Sequence, residues 1–500
     1  MMSKGYDIYK PLRNILRKYD LWSGLFTAYR YMIYLDFQIP LPQHFKPSGL
    51  FTKSDNWRKG LLQWEFEILI REIILNCPEK GGHKFKNVKD VSRCINKIKS
   101  VENEIYGAHE KEQDDVLYEI VRIAHRQFPW QTGINEAFIG RYHWLYRQEG
   151  LDSEVRAVFG MSITELMQIS LSLTGHFSRV PLLDRPVQNQ INNVTPQITE
   201  KYLDRLKINL SDLRESYRKC AAYDVNWAYT FNILRDKPLL ECPDGRIACL
   251  IPDFLVRRVT SGIYFDLIKN PVVGSRYLGP AVQNLVGRVL DSSSADGRMK
   301  VKDERSYGTK REKKDSIDWV ISDNTAHLFV ECKAARVRFK GMSDLKDREQ
   351  IRKEFDRIRS FAVQSYKTIW DALSGEYPHW KPDQLPCYLA IVTLEDWQSF
   401  GLHIEREVMH PLSAELAALG IDPNLPQLVP MTFCAIADFE AALEVSRMNG
   451  IKSLFEKKRE GEYPQWALGT YITTKHADTL RDFEPKAFSE EWKILDSSST

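Results

Sequence analysis

Cysteine is scarce and unclustered in this chain of 500 residues. No two of the eight cysteines are separated by two residues, which excludes the paired spacing of zinc ribbons and dithiol redox motifs. A GxSxG elbow and a glycine-rich phosphate loop are also missing, which argues against a serine hydrolase or a nucleotide-binding enzyme. Several cysteines lie within apolar runs. They have the pattern of reduced core thiols, so we predict a cytoplasmic protein.

A strong charge of one sign and long hydrophobic runs are missing as well. Lys and Arg number 70 against 67 Asp and Glu, so the formal net charge is only +3. Any affinity for nucleic acid must therefore come from a local basic patch. No stretch has the roughly 20 apolar residues of a membrane span, and the first residues lack the apolar segment of a signal peptide. We therefore predict no membrane partner.

The first half of the chain has the pattern of a helical domain. Four segments within residues 1–235 have apolar residues at helical spacing: 57–77, 114–128, 162–177 and 202–223. Ser162 and Glu165 have the spacing of a capping box at the start of the third segment. The sequence predicts an all-helical domain, with substrate recognition, homodimerisation or binding of a partner protein as its alternative roles.

The second half alternates between strands and helices. Residues 236–270 contain two short apolar runs around Asp244 and Gly245, which predicts a hairpin, and then a helical segment; we treat them as a bridge. Within residues 271–500 the predicted elements are helix 277–290, strand 299–304, hairpin 315–335, helix 345–373, strands 387–394 and 429–436, and helix 439–447. This order predicts an α/β core with a mixed sheet between helices.

The hairpin at 315–335 carries charges where a buried hairpin should carry none. Asp318 interrupts its first apolar strand, and Glu331 and Lys333 interrupt its second. Because alternate side chains of a strand share a face, Glu331 and Lys333 point together and Cys332 points to the opposite face. Asp318 stands nearly opposite Glu331. Isolated charges are costly at a core unless they are paired or metal-bound, so this hairpin is the predicted functional site.

The same region resembles a known nuclease superfamily. A helix, a hairpin with Asp318 and then Glu331-Cys332-Lys333, a second helix and a strand follow one another over residues 275–440. This arrangement is similar to the PD-(D/E)XK, or restriction-endonuclease-like, superfamily. The resemblance implies a restriction-endonuclease-like core and a magnesium-dependent endonuclease acting on DNA. It also implies a role in restriction or antiviral defence.

The flanking helices carry two glutamines that match positions of the family. Gln364 lies on the helix after the hairpin, and Gln283 lies on the helix before it, where members often carry glutamate. An amide is a poor magnesium ligand, although it can hydrogen-bond a metal-bound water. Ile317 stands where the family pattern has proline.

The resemblance also assigns roles to the charged residues. Asp318, Glu331, Lys333 and Gln364 would be the catalytic set. Asp318, Glu331 and the backbone carbonyl of Cys332 would bind Mg²⁺ or Mn²⁺, which prefer hard oxygen ligands. Lys333 would orient the attacking water and stabilise charge in the transition state.

Basic residues precede the strand that carries Asp318. We predict that four of them contact nucleic-acid phosphates: Lys310, Arg311, Lys313 and Lys314. Charges at 345–359 alternate in sign, which indicates a solvated helix face instead. Three alternatives to a nuclease stay open. One is a hairpin in which Lys333 only neutralises a carboxylate, and another is an inactive nuclease-fold protein that binds nucleic acid or acts as a scaffold. The third is an acid–base enzyme acting on a small molecule, which would need a deep pocket instead of an open basic groove.

Overall fold

A computed structural model of the protein describes most of the chain. The described residues are 4–46, 60–108, 123, 126, 127, 130, 133–191, 193–336, 348–394, 401 and 404–496. Nearly all of the helix predicted at 114–128 therefore lies outside the described residues. Within them the protein is mixed α/β, as the alternation of strands and helices in the second half predicts.

Helices dominate both halves of the chain. The α-helices of the first half are α1 Lys4–Leu16, α2 Leu21–Phe37, α3 Gln63–Asn76, α4 Val88–Gly107, α5 Glu136–Tyr146, α6 Leu151–Phe159, α7 Ile163–Phe177, α8 Pro196–Leu206 and α9 Leu210–Cys220. Those of the second half are α10 Asp253–Val259, α11 Ile263–Leu267, α12 Gly279–Ser294, α13 Arg348–Leu373, α14 His410–Ala418, α15 Leu425–Leu428, α16 Ile436–Asn449, α17 Ile451–Lys457, α18 Leu468–Lys475, α19 Ala477–Leu480 and α20 Ser489–Leu495. A short helical turn, Pro271–Val273, and a π-helical stretch, Gly274–Leu278, lead into α12.

Eleven strands of the described chain form three sheets. They are β1 Leu182–Leu183, β2 Lys207–Asn209, β3 Leu239–Glu241, β4 Ile247–Cys249, β5 Lys300–Asp303, β6 Ser306–Gly308, β7 Lys313–Asp315, β8 Trp319–Ser322, β9 His327–Lys333, β10 Cys387–Thr393 and β11 Met431–Ala435. The largest sheet has the order β11-β10-β9-β8-β5. Its β5–β8 and β8–β9 pairs are antiparallel, and its β9–β10 and β10–β11 pairs are parallel. The sheet is therefore mixed, as predicted.

Helices cover both faces of this sheet. Phe329 and Leu389 lie on one face, in a core with the buried side of α13. Leu328 and Ala390 lie on the other face, in a core with α12 and α16. The alternation of burial follows the period of two in a strand, and it explains why β10 is a continuous apolar run.

The first half is not all-helical, which corrects the prediction from its sequence. The hairpin of β3 and β4 forms around Asp244 and Gly245 as predicted. Two short strands from the first half extend it, because β1 pairs with β4 and β2 pairs with β3. A two-stranded hairpin alone is marginally stable in water, so its edges recruit the neighbouring segments.

The capping box predicted at the start of α7 is confirmed. The backbone N–H of Glu165 donates to the Ser162 hydroxyl at 3.2 Å, and the Ser162 N–H donates to the Glu165 carboxylate at 2.7 Å. This reciprocal pair satisfies two amide groups that the first turn of a helix leaves open.

Hydrophobic cores cross the boundary predicted at residue 235. One core joins buried residues from Tyr9 to Ile105 with residues from Leu210 to Phe254. Another joins α5, α6 and α7 with α12 and the large sheet. Part of the helical half therefore packs directly against the α/β core and supports its sheet.

Among the described residues, no single helix is long and apolar enough to cross a membrane. The bent pair of α6 and α7 meets the length and composition criteria only when the two helices are taken together.

Gly287 of α12 sets the distance between this helix and β8. A Cβ atom at Gly287 would lie 2.7 Å from Cζ2 of Trp319, the residue after Asp318. We expect Gly287→Ala to destabilise the fold by about 1–3 kcal/mol, because the indole has to shift. Gly175 of α7 is the matched control, since no atom lies within 4 Å of its Cβ position. Gly175→Ala should stabilise the fold by about 0.5–1 kcal/mol through helix propensity. Urea denaturation of both variants measures the difference, and equal effects would contradict this packing account.

Candidate active site

The pairing of β8 with β9 brings Asp318 opposite Glu331. Trp319 pairs with Val330, and Val320 pairs with Phe329. One more step along this antiparallel ladder places Asp318 beside Glu331, as the sequence predicts. The hydrogen bonds agree, because the backbone N–H of Cys332 donates to Asp318 Oδ2 at 2.6 Å.

The residues of the Glu-Cys-Lys motif divide between the two faces of the sheet. Phe329, two residues before Glu331, lies in the core beneath α13. Cys332 packs against the opposite core, and burial raises the pKa of its thiol well above the ordinary value. The Cys332 thiol therefore stays protonated, and it packs into this core beside the Asp318 carboxylate.

Lys333 is held between two acceptors. Its Nζ lies 2.6 Å from Glu331 Oε1 and donates to Gln364 Oε1 at 3.0 Å. An ammonium group has three protons, so this arrangement leaves one donor for a water or a phosphate. Gln364 comes from α13 and fixes the direction of the lysine side chain.

All of these groups line one open cleft with a volume of about 650 Å³. Its walls come from the start of α12, the large sheet and the middle of α13. The lining residues include Gly274, Gly279, Gln283, Glu304, Asp315, Ser316, Asp318, Glu331, Lys333, Arg357, Phe361, Gln364 and Thr368. Both glutamines selected from the sequence therefore face the same space as the three charged residues of the motif.

A third carboxylate in the cleft, Glu304, was missed in the sequence. Asp303 pairs with Trp319 between β5 and β8, so the next step places Glu304 beside Asp318. Glu304 directly follows β5, and Asp318 directly precedes β8. These two residues and Glu331 of β9 thus occupy neighbouring positions at the sheet. Gln283 donates to Glu304 Oε2 at 3.1 Å, so the amide orients this carboxylate. Glu304 is the last residue of the strand predicted at 299–304. Its position at the end of that strand was the signal in the sequence that could have identified it as a site residue.

The carboxylates perturb one another strongly. Burial, and next the negative charge of Glu331, raise the pKa of Asp318 to about 7. Burial also raises the pKa of Glu331, although Lys333 acts in the opposite direction. Glu304 adds to the rise in pKa at both positions. A cation at this place would remove the repulsion that raises these pKa values.

The donor set suits magnesium better than a metal that needs a full protein cage. Among the described residues, no group of three or more His, Cys, Asp or Glu side chains is arranged to hold an ion by itself. Magnesium is usually bound by one or two carboxylates together with water and substrate phosphates. Asp318, Glu331 and the Cys332 carbonyl, all at the cleft wall, fit that pattern.

The four predicted phosphate contacts lie on the hairpin of β6 and β7. Lys310, Arg311 and Lys313 are exposed there, and they make no ion pair within the described part of the chain. Lys314 is also exposed, but its Nζ donates to Asp371 Oδ2 at 2.7 Å. Lys314 therefore anchors the hairpin to α13, whereas the other three present unneutralised charge.

Comparison of the chain with family models, with curated proteins and with solved structures finds no match.

Proposed function

We propose that the protein is a magnesium-dependent nuclease that hydrolyses phosphodiester bonds of DNA. A role in restriction or antiviral defence follows from the family resemblance alone. One observation carries the proposal: Asp318, Glu331 and Lys333 meet on adjacent strands at the wall of one open cleft. Buried charges of this kind cost stability, and a catalytic function accounts for their presence.

Each residue of the motif has a task in this reaction. Asp318, Glu331 and the Cys332 carbonyl would hold the metal ion, which when bound polarises the phosphoryl group and lowers the pKa of a water ligand. Lys333 uses its remaining proton to orient the attacking water and to stabilise negative charge as the phosphorus–oxygen bond breaks. Gln364 holds the lysine in place.

A second candidate is a nuclease-like protein that binds nucleic acid without cutting it. The direct contact of Lys333 Nζ with Glu331 Oε1 at 2.6 Å favours this reading, since a lysine committed to a carboxylate is a structural ion pair. The hydrogen bond from Lys333 to Gln364 and the open cleft support the enzyme instead.

Cleavage of DNA by purified protein separates the two candidates. Supercoiled plasmid and end-labelled duplex are incubated with Mg²⁺, with Mn²⁺ and with EDTA. Products that appear only with metal, and that disappear in a Lys333→Met preparation purified in parallel, support the nuclease. Binding without cleavage under every metal condition supports the second candidate.

Removal of the exposed cations should make DNA binding less dependent on salt. We expect the variant with Lys310, Arg311 and Lys313 all changed to alanine to bind duplex more weakly. The slope of log K against log salt should fall by about 0.9 for each phosphate charge no longer neutralised. Fluorescence anisotropy between low and moderate salt measures this slope. An unchanged slope would mean that DNA binds elsewhere.

A further inference from the structure

The hairpin of β6 and β7 stands apart from the large sheet. Ser306 pairs with Asp315 and Gly308 pairs with Lys313, and these two strands form a sheet of their own. We call Ser306–Asp315 the basic ribbon. Every residue of the ribbon is exposed except Tyr307. The ribbon is therefore a projecting element, and Tyr307 is the residue that it contributes to a hydrophobic core.

The root of the basic ribbon is fixed. Tyr307 is 9% exposed, and its hydroxyl donates to Asp371 Oδ2 at 2.7 Å, the same oxygen that accepts from Lys314. The Tyr307 ring also packs 5.3 Å from the ring of Tyr377. The ribbon is therefore tied to α13 at its base.

The tip of the ribbon has a defined shape. Gly308 has φ +89°, and a Cβ atom there would lie 2.4 Å from the backbone oxygen of Glu312. The Glu312 N–H donates to the Thr309 hydroxyl at 3.1 Å. This turn holds Lys310 and Arg311 at the far end of the ribbon, and it requires glycine at residue 308.

Both ends of the ribbon meet the candidate active site. Glu304 lies just before it and Ser316 just after it, and both line the cleft. Each strand of the ribbon has three residues, which corresponds to roughly 10 Å at 3.3 Å per residue. The ribbon therefore begins and ends beside the cleft and projects from it by only a short span.

We propose that the basic ribbon enters the major groove of double-stranded DNA beside the cleft, so that the substrate is duplex and tip residues contact base edges. This inference rests on the proposed function for the identity of the ligand. The major groove is about 12 Å wide and admits a two-stranded ribbon. Proteins bind single strands by stacking the bases on aromatic rings. The one aromatic ring of the ribbon, that of Tyr307, is buried at its root and is not available for stacking.

The side chains of the tip suit contacts with base edges better than contacts with phosphates alone. Lys310 and Arg311 are donors, which complement O6 and N7 of guanine. Glu312 between Arg311 and Lys313 would be repelled by phosphates, but in the groove a carboxylate accepts from the amino group of cytosine. The prediction that all four basic residues contact phosphates is therefore extended for Lys310 and Arg311, which would also contact base edges.

Binding and chemical protection of DNA test the ribbon without any cleavage readout. The Lys333→Met protein is bound in EDTA to a 30-base-pair duplex of mixed sequence and to each of its single strands. We expect duplex to bind on the order of tenfold more tightly. Dimethyl sulfate, which methylates guanine N7 in the major groove, should show protection of specific guanines within the bound site.

Three variants of the Lys333→Met protein distinguish the effect of the ribbon's shape from the effect of its charge. Lys310→Ala with Arg311→Ala should remove the protection, and Lys452→Ala with Lys457→Ala, two exposed lysines of α17, should retain it. Gly308→Val keeps every charge but distorts the turn, so it should lose protection while its salt slope stays that of the parent. Thermal melting checks that each variant is folded.

The outcomes for the ribbon and for the enzyme are distinguishable. Equal binding of single strands and duplex, or full N7 protection in the Lys310→Ala, Arg311→Ala variant, would overturn the ribbon proposal even if wild-type protein cleaves DNA. Loss of protection in that variant together with no metal-dependent cleavage by wild-type protein would support the ribbon and overturn the nuclease.

Discussion

Replacing Lys333 by methionine is expected to slow phosphodiester cleavage by about 10²–10³-fold, the usual cost of removing one donor that stabilises transition-state charge. Methionine has nearly the length of lysine and fills the same space without the charge. The loss should appear in the rate at saturating DNA, because the proton that Lys333 offers to the reacting groups matters most in the transition state. Single-turnover cleavage of an end-labelled duplex measures it.

The ion pair with Glu331 requires a folding control for this variant. Loss of Lys333 removes the cation that pairs with Glu331, a residue that is only 6% exposed. The Glu331 carboxylate should therefore take up a proton more readily. Circular dichroism and thermal melting must therefore accompany the rate. Lys452→Met is the matched control, because it makes the same substitution away from the cleft. Lys452 lies on α17, and its backbone N–H donates to the hydroxyl of Thr325, at the far end of the β8–β9 hairpin. Cleavage by Lys333→Met at the rate of the control would remove Lys333 from the mechanism.

The paired strands of the site could be predicted because their geometry is local. Asp318 and Glu331 lie on consecutive strands joined by a short connection, and the period of two in a strand fixes which side chains face together. Asp323 stabilises that connection by accepting from the N–H groups of Thr325 and Ala326. Local sequence thus determines the register that places the two carboxylates side by side.

Glu304 could not be placed with the same reasoning. Its strand is separated from β8 by the basic ribbon, and no local rule fixes the register across such an insertion. Trp319, which pairs with Asp303, also lies close to Gly287 of α12. This contact joins residues distant in sequence, so periodicity and composition do not report it.

The sequence also could not predict which helices share a hydrophobic core with the large sheet. Amphipathic helices such as α7 have a buried face whose partner the sequence does not name. The structure packs Leu166 and Ile169 of α7 into the same core as Leu328 of β9. Helix periodicity predicted these elements correctly, whereas tertiary packing decided that they support the sheet of the site.

Replacing Asp318 by asparagine is expected to abolish cleavage and yet to stabilise the metal-free fold above neutral pH. Asparagine is nearly isosteric and retains an oxygen for the N–H of Cys332, so the hairpin should persist. Its amide is a weak ligand for a hard cation, and the variant should lose the metal site. Mg²⁺ should accordingly raise the melting temperature of wild-type protein and leave that of Asp318→Asn unchanged.

The raised pKa of Asp318 determines how the stability of wild-type protein changes with pH relative to Asp318→Asn. The pKa of Asp318 is raised from 3.8 to about 7 in the folded protein, so the folded state holds a proton that the unfolded state releases. Wild-type stability in EDTA should therefore fall, relative to the variant, as pH rises from about 4 to 7, and level off above that range. A shift of about three units at 1.36 kcal/mol each sets an upper limit near 4 kcal/mol. Because the carboxylates share protons and the cleft is open to water, we expect about 1–3 kcal/mol.

Asp478→Asn provides the control for the stability measurement. The Asp478 side chain is 91% exposed, so the stability of this variant should follow that of wild-type protein across the pH range. Urea denaturation at pH 4, 6 and 8 with EDTA compares the three proteins. If Asp318→Asn gains its stability at pH 4 instead of pH 8, burial and carboxylate repulsion are not what Asp318 contributes to the fold. If it gains stability at pH 8 and still cleaves DNA with Mg²⁺, the carboxylate is a buried structural acid and the metal site has to lie elsewhere.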